Sequence, residues 1–165
     1  MDRIDNPVSP AGSRSKIAFI CAQWHADVVE QCHTGFLAEL KKLGQDHLGV
    51  DRFTVPGAYD IPLMAQKLCQ LGNYEAVVAS ALVVDGGIYR HDFVSTAVID
   101  GMMRVQLDLG VPIISAVLTP HHYHENAAHE DFFKSHFVIK GEEAARATVE
   151  IIQNVRMLDG RKAAA

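Results

Sequence analysis

Val83-Val84-Asp85-Gly86-Gly87-Ile88-Tyr89-Arg90-His91-Asp92-Phe93 decides the reading of this chain. Before it, residues 76–84 form an apolar, β-branched run that is too short to span a membrane. After it, residues 93–109 carry a helical pattern, so two glycines stand where a buried strand ends and a helix begins. Glycine lets backbone N–H groups approach a ligand, and the first N–H groups of a helix have no partner within it. Together they form an anion cradle. Arg90 adds a permanent positive charge, and His91 adds a group that titrates near neutrality. That combination suggests chemistry on a phosphorylated small molecule. A plain strand-to-helix turn with a solvated Arg-His pair explains the same residues, because a glycine pair is a weak motif.

Working outward, residues 16–22 (Lys-Ile-Ala-Phe-Ile-Cys-Ala) read as a buried parallel strand followed directly by Trp24 and His25. A helix over 26–43 places Val29, Cys32, Phe36, Leu40 and Leu43 on one face, with Gly44 as its C-cap. Residues 50–55 form a second strand, ended by Pro56-Gly57. Ile61, Met64, Leu68 and Leu71 mark a second helix, closed by Gly72. Val94, Val98, Met102, Val105 and Leu109 give the third helix its buried face. Residues 111–118 form a fourth strand, closed by Thr119-Pro120. A polar helix over 124–136, a short apolar link over 137–139 and a last helix over 142–157 complete the pattern, with Lys140-Gly141 preceding the last helix.

Four apolar strands alternating with helices imply right-handed β-α-β units. The expected fold is α/β: a flavodoxin-like three-layer α/β/α sandwich with a four-stranded parallel sheet. The expected organisation is a mobile arm over 1–15, one domain over 16–158 and a tail over 159–165. In such sheets ligands bind beyond the carboxyl ends of the strands. The segments after each strand all fall on that edge: Trp24-His25, 56–60, 85–91 and 119–129.

With 165 residues the chain suits one domain, able to bury about 68–70% of its unfolded surface. A net charge of -5 argues against nucleic acid as the main partner. Cys21, Cys32 and Cys69 are scattered without a C-x-x-C pair, which fits reduced thiols and a cytoplasmic setting. No run approaches the ~20 apolar residues of a membrane helix, and residues 1–15 lack the apolar core of a signal peptide.

The histidines at 121, 122, 124, 129 and 136 invite a metal reading. However, His124 and His129 are five residues apart, about 140° around a helix, and cannot share a metal from one regular helix. The expectation is no metal. Trp24 reads either as core filler or as a stacking platform at the strand edge. Asp60 either favours a helix dipole or accepts hydrogen bonds from a ligand. Ser115 either satisfies the backbone or meets a ligand.

Taken together, the chain resembles the lumazine synthase family over residues 16–157. The resemblance is carried by Val55-Pro56-Gly57-Ala58-Tyr59-Asp60-Ile61-Pro62, by Val84 through Phe93, by Val117-Leu118-Thr119-Pro120 and by Lys140-Gly141-Glu142-Glu143-Ala144-Ala145. The wording of 86–93 and the His-rich loop resemble the decameric type II branch. The resemblance implies condensation of 5-amino-6-(D-ribitylamino)uracil with 3,4-dihydroxy-2-butanone 4-phosphate to 6,7-dimethyl-8-ribityllumazine, in riboflavin biosynthesis. It implies no metal or organic cofactor, so proximity and orientation supply most of the acceleration. It also implies a homo-oligomer, a pentamer or a dimer of pentamers, with sites between adjacent subunits.

Carried over by position, Trp24 stacks on the uracil-derived ring. Ala58, Tyr59 and Asp60 line the ribityl pocket. Leu82, Val83 and Val84 offer backbone groups to the pyrimidine edge, and the Gly87 and Ile88 amides hold phosphate. Ser115 and His129 come from the neighbouring subunit, to the ring and to the phosphate respectively. Three residues depart from the family pattern. Asp60 stands where most members have Glu, and His129 where most have Arg. Arg90 falls on the position of the family's catalytic His, with His91 next to it. Alignment favours Arg90, acid–base chemistry favours His91, and both are candidate catalytic residues. Those departures leave a second reading: a catalytically weak relative that binds or stores flavin or lumazine. A third, a metal-dependent hydrolase using the His-rich loop, predicts bound zinc.

Overall fold

The computed structural model describes residues 16–121 and 127–163, with the side chains of 127–130 and of 163 outside the description. The elements run β1 (Lys16–Ala22), α1 (Ala26–Lys42), β2 (Gly49–Val55), a 3-10 turn (Ala58–Asp60) and α2 (Ile61–Gln70). They continue with β3 (Ala76–Leu82), α3 (His91–Leu109), β4 (Ile113–Leu118) and α4 (Ala127–Ala163). The four strands form one parallel sheet in the order β2-β1-β3-β4. The chain steps outward from β1 to β2, then crosses back over β1 to β3, so the order reverses between β1 and β3. In open α/β sheets the crevice at that reversal is where ligands bind.

The two central strands lack alternation because both of their faces are covered. On β1, Ile17, Phe19 and Cys21 enter a core built with Val28, Val29, Cys32 and Phe36 of α1 and Phe133, Phe137 and Ala145 of α4. Ala18, Ile20 and Ala22 enter the opposite core, built with Ile61, Ala65 and Leu68 of α2 and Val98, Met102 and Val105 of α3. The chain is therefore a three-layer sandwich, with α1 and α4 on one face and α2 and α3 on the other. Ser80, fully buried in apolar β3, satisfies its hydroxyl by donating to the Val29 carbonyl at 3.4 Å.

The expected break at 137–141 does not exist: α4 is one helix of 37 residues. Phe133, Phe137, Ala144, Ala145, Thr148 and Ile152 are all buried, and their three- and four-residue spacing runs straight through the supposed link. Gly141 is a packing residue inside the helix. A Cβ on it would collide with the Cys32 carbonyl, and one on Gly35 of α1 would collide with the Val138 carbonyl. The helices thus touch backbone to backbone, and ion pairs flank the contact: Lys134 with Asp27 at 3.1 Å, Arg146 with Glu39 at 2.6 Å and Lys42 with Glu142 at 3.5 Å. The same helix continues through residues 159–163, which the sequence suggested as a tail. The N-terminal arm over 1–15 lies outside the described residues. Among the described residues no helix is long and apolar enough to cross a membrane.

Candidate functional site

The ends of β1, β2, β3 and β4 all point the same way, so the segments that follow them share one edge of the sheet. After β1, the Gln23 N–H donates to the Val55 carbonyl at 2.9 Å and ties the ends of β1 and β2 together. His25 then adopts a left-handed conformation (φ 55°, ψ 43°) unusual for a residue with a Cβ. Its carbonyl accepts the N–H groups of Val28 and Val29 at 3.0 and 2.9 Å, which starts α1 abruptly and leaves Trp24 on the rim. Trp24 is 67% exposed, which removes the core-filler reading. Its indole lies against the turn after β2, 3.9 Å from where a Cβ of Gly57 would sit.

That turn is closed from both ends. The Gly57 N–H donates to Asp60 Oδ2 at 3.0 Å, and the Asp60 N–H donates to the Gly57 carbonyl at 3.2 Å. Asp60 is therefore held on the rim by its own turn, with Tyr59 exposed and Ala58 buried beside it. Tyr59 also borders an open hollow of about 230 Å³ with Pro62, Leu63, Ala97 and Val98, between α2 and α3.

After β3, Leu82 and Val83 are buried in opposite cores, and Val84 is half-buried. The Val83 N–H is committed to the Leu118 carbonyl at 2.8 Å, so that donor holds the sheet together. The chain turns at Gly87 with φ 74°, the left-handed region that glycine supplies without strain. Ile88, 88% exposed, and Tyr89 then stand in solvent. No atom lies within 4 Å of an ideal Cβ on Gly86 or Gly87, so the cradle is open. The Gly87 N–H, expected to hold phosphate, donates here to Asp85 Oδ1 at 3.1 Å. The sequence places Asp85 on this edge without a role of its own; the Asp-Gly-Gly wording, an Asx-turn signature, is the signal for this contact.

Arg90 and His91 contact different partners. The Arg90 guanidinium lies 4.3 Å above the Phe93 ring and donates to Asp92 Oδ2 at 2.9 Å. That hydrogen bond holds the Asp92 carboxyl below the usual carboxylate range. His91 opens α3 with its side chain 21% exposed, and its Nδ1 stands 3.9 Å from Asp85 Oδ2. The loop therefore carries an open amide turn and an imidazole that share Asp85, with a guanidinium close by in sequence that is held by Asp92 and Phe93.

Ser115 is not part of this edge in the single chain. It lies mid-strand in β4, opposite Ala79, and is exposed because β4 is the border of the sheet. Its hydroxyl oxygen accepts the Val117 N–H at 3.3 Å. The side chain of His129, and all of His122 and His124, lie outside the described residues. Cys21, Cys32 and Cys69 are free and buried, and desolvation pushes the Cys32 thiol up to about 12.

The profile of the 6,7-dimethyl-8-ribityllumazine synthase family matches residues 14–156. A 6,7-dimethyl-8-ribityllumazine synthase of Rhodococcus erythropolis is 56% identical over 143 residues, covering 87% of this chain and 92% of the relative. The 6,7-dimethyl-8-ribityllumazine synthase 2 of Pseudomonas syringae pathovar tomato is 46% identical over 160 residues, covering 95% and 94%. That of Bradyrhizobium diazoefficiens is 48% identical over 149 residues, covering 90% and 89%. Since the match spans every element of the sheet and all four loops of its carboxyl edge, the chain belongs to the 6,7-dimethyl-8-ribityllumazine synthase family.

Proposed function

We propose that the carboxyl edge of the sheet condenses 5-amino-6-(D-ribitylamino)uracil with 3,4-dihydroxy-2-butanone 4-phosphate, forming 6,7-dimethyl-8-ribityllumazine for riboflavin synthesis. The enzyme is a transferase of small molecules. Trp24 stacks on the ring, and Ala58, Tyr59 and Asp60 receive the ribityl chain. Backbone groups of Leu82, Val83 and Val84 meet the pyrimidine edge, the Val83 N–H excepted because the sheet uses it. The turn at Gly87-Ile88 takes the phosphate, Arg90 steadies negative charge and His91 moves protons. Ser115 and His129 act on the neighbouring subunit's site, within a pentamer or a dimer of pentamers in the cytoplasm. An exposed Ser115 on a border strand, away from its own chain's rim, supports that sharing.

One observation carries the reading: the family match over residues 14–156 includes the exposed Trp24, the Gly57–Asp60 turn and the 85–91 loop on one edge. Named synthases among the relatives do not favour a purely flavin-binding role. Incubating the purified protein with both substrates and following the lumazine chromophore tests the proposal. Product above the uncatalysed rate is expected; a rate equal to it would remove the reading.

A further inference from the structure

The loop after β3 already contains an anion. Asp85 Oδ1 accepts the Gly87 N–H at 3.1 Å, and Asp85 Oδ2 stands 3.9 Å from His91 Nδ1. The first contact is a hydrogen bond, and the second is too long to be one. One carboxylate thus lies between the amide assigned to phosphate and the imidazole assigned to proton transfer. Its side chain is 61% exposed, so it has room to move, and the space above Gly86 and Gly87 is open. One amide hydrogen cannot serve a carboxylate and a phosphate at full strength, and the two anions repel at this range.

We propose that Asp85 is a positioning residue: phosphate displaces its carboxylate from the Gly87 amide, and the freed carboxylate closes on His91 Nδ1. This rests on the assignment of phosphate and proton transfer made above. Among the described residues, Asp85 is the carboxylate within ion-pairing distance of His91, while the flanking Arg90 and Asp92 are paired with each other at 2.9 Å. An acceptor at Nδ1 fixes the tautomer and presents Nε2 for proton transfer. His91 would therefore be oriented only when the phosphorylated substrate is in place.

Asp85→Asn, in the full-length protein, separates the two halves of the device. Asn keeps the size and an acceptor for the Gly87 N–H, and the exposed site puts folding at little risk. Calorimetric titration with inorganic phosphate should show about fivefold tighter binding, because one like charge is gone. In turnover, KM for the butanone phosphate should fall, while kcat falls about tenfold or more, because a neutral amide is a weaker acceptor at His91 Nδ1 than a carboxylate and does not stabilise the imidazole once it carries a proton. A merely disordered loop would weaken binding and slow turnover together. Unchanged or weaker phosphate binding, or an unchanged kcat, overturns the proposal. The calorimetric arm needs no reaction. Absence of lumazine from the unmodified protein would end the reaction assignment, and phosphate affinity would still decide the displacement.

Discussion

Gly35 and Gly141 interlock α1 and α4, each lying against the other helix's backbone so closely that a Cβ on either would strike a carbonyl group. The contact closes the core around Phe19, Phe36 and Phe137, which are fully buried.

Gly141→Ala is therefore expected to destabilise the fold, although alanine is the better helix former by about 1 kcal/mol. Overpacking against backbone cannot relax by rotating a side chain, and a net loss of about 2 kcal/mol is expected. Gly160→Ala, on the same helix with open space around its Cβ, should show the opposite sign, a gain of up to about 1 kcal/mol. Denaturant unfolding of the two variants checks this. A stabilised Gly141→Ala protein would contradict the interlock.

Trp24 is the one tryptophan of the chain, so its fluorescence reports on the rim directly. Trp24→Ala should weaken binding of the lumazine product about three- to tenfold, the range of a lost stacking contact, while Trp24→Phe should retain most of the affinity. Stability should change little, because the side chain is 67% exposed. Quenching of the wild-type emission on titration with product, with the quenching midpoint as the affinity, provides the measurement.

The helix interlock and the rim differ in how plainly the sequence shows them. Strands β1 and β3 announce themselves because burial on both faces leaves a continuous apolar run, and the loops after them follow by position. Gly141 is ambiguous in sequence because a glycine that punctuates a helix and one that lets two helices touch look alike along the chain. Only the unbroken spacing from Phe133 to Ile152 separates them. Within the site, Trp24 and the turn to Asp60 were legible as edge residues. The involvement of Asp85 and of the Val83 N–H was not, because it depends on which donor an acceptor reaches in three dimensions.

Arg90 and His91 should separate kinetically. Arg90→Ala removes a charge that now rests on Asp92 and Phe93, so its effect should appear in KM for the phosphorylated substrate, about 10- to 100-fold for a charge-assisted contact. His91→Ala should lower kcat by about a hundredfold or more, the range of general acid–base catalysis. Steady-state kinetics of both variants, with each substrate varied in turn, decides between the roles. A His91→Ala enzyme at full kcat would remove the proton-transfer role.

His33 gives the fold a pH dependence of its own. Its ring packs edge-on against Phe19, with centroids 4.9 Å apart. Burial pushes the imidazole below its ordinary value; the Arg52 charge adds to this, and Glu30 opposes it. The unfolded chain takes up a proton near pH 6.5, whereas the folded chain resists protonation until a lower pH. Between those two values the unfolded state binds more protons, so acidification draws the equilibrium toward unfolding. The contribution is intact above about pH 6.5 and is lost as pH falls through the lower folded value. His33→Gln has no such proton to bind, so its unfolding midpoint should fall less than that of the parent protein between about pH 7 and pH 5. Thermal unfolding of both proteins across that range checks the prediction, and identical pH slopes would show that His33 contributes nothing to acid sensitivity.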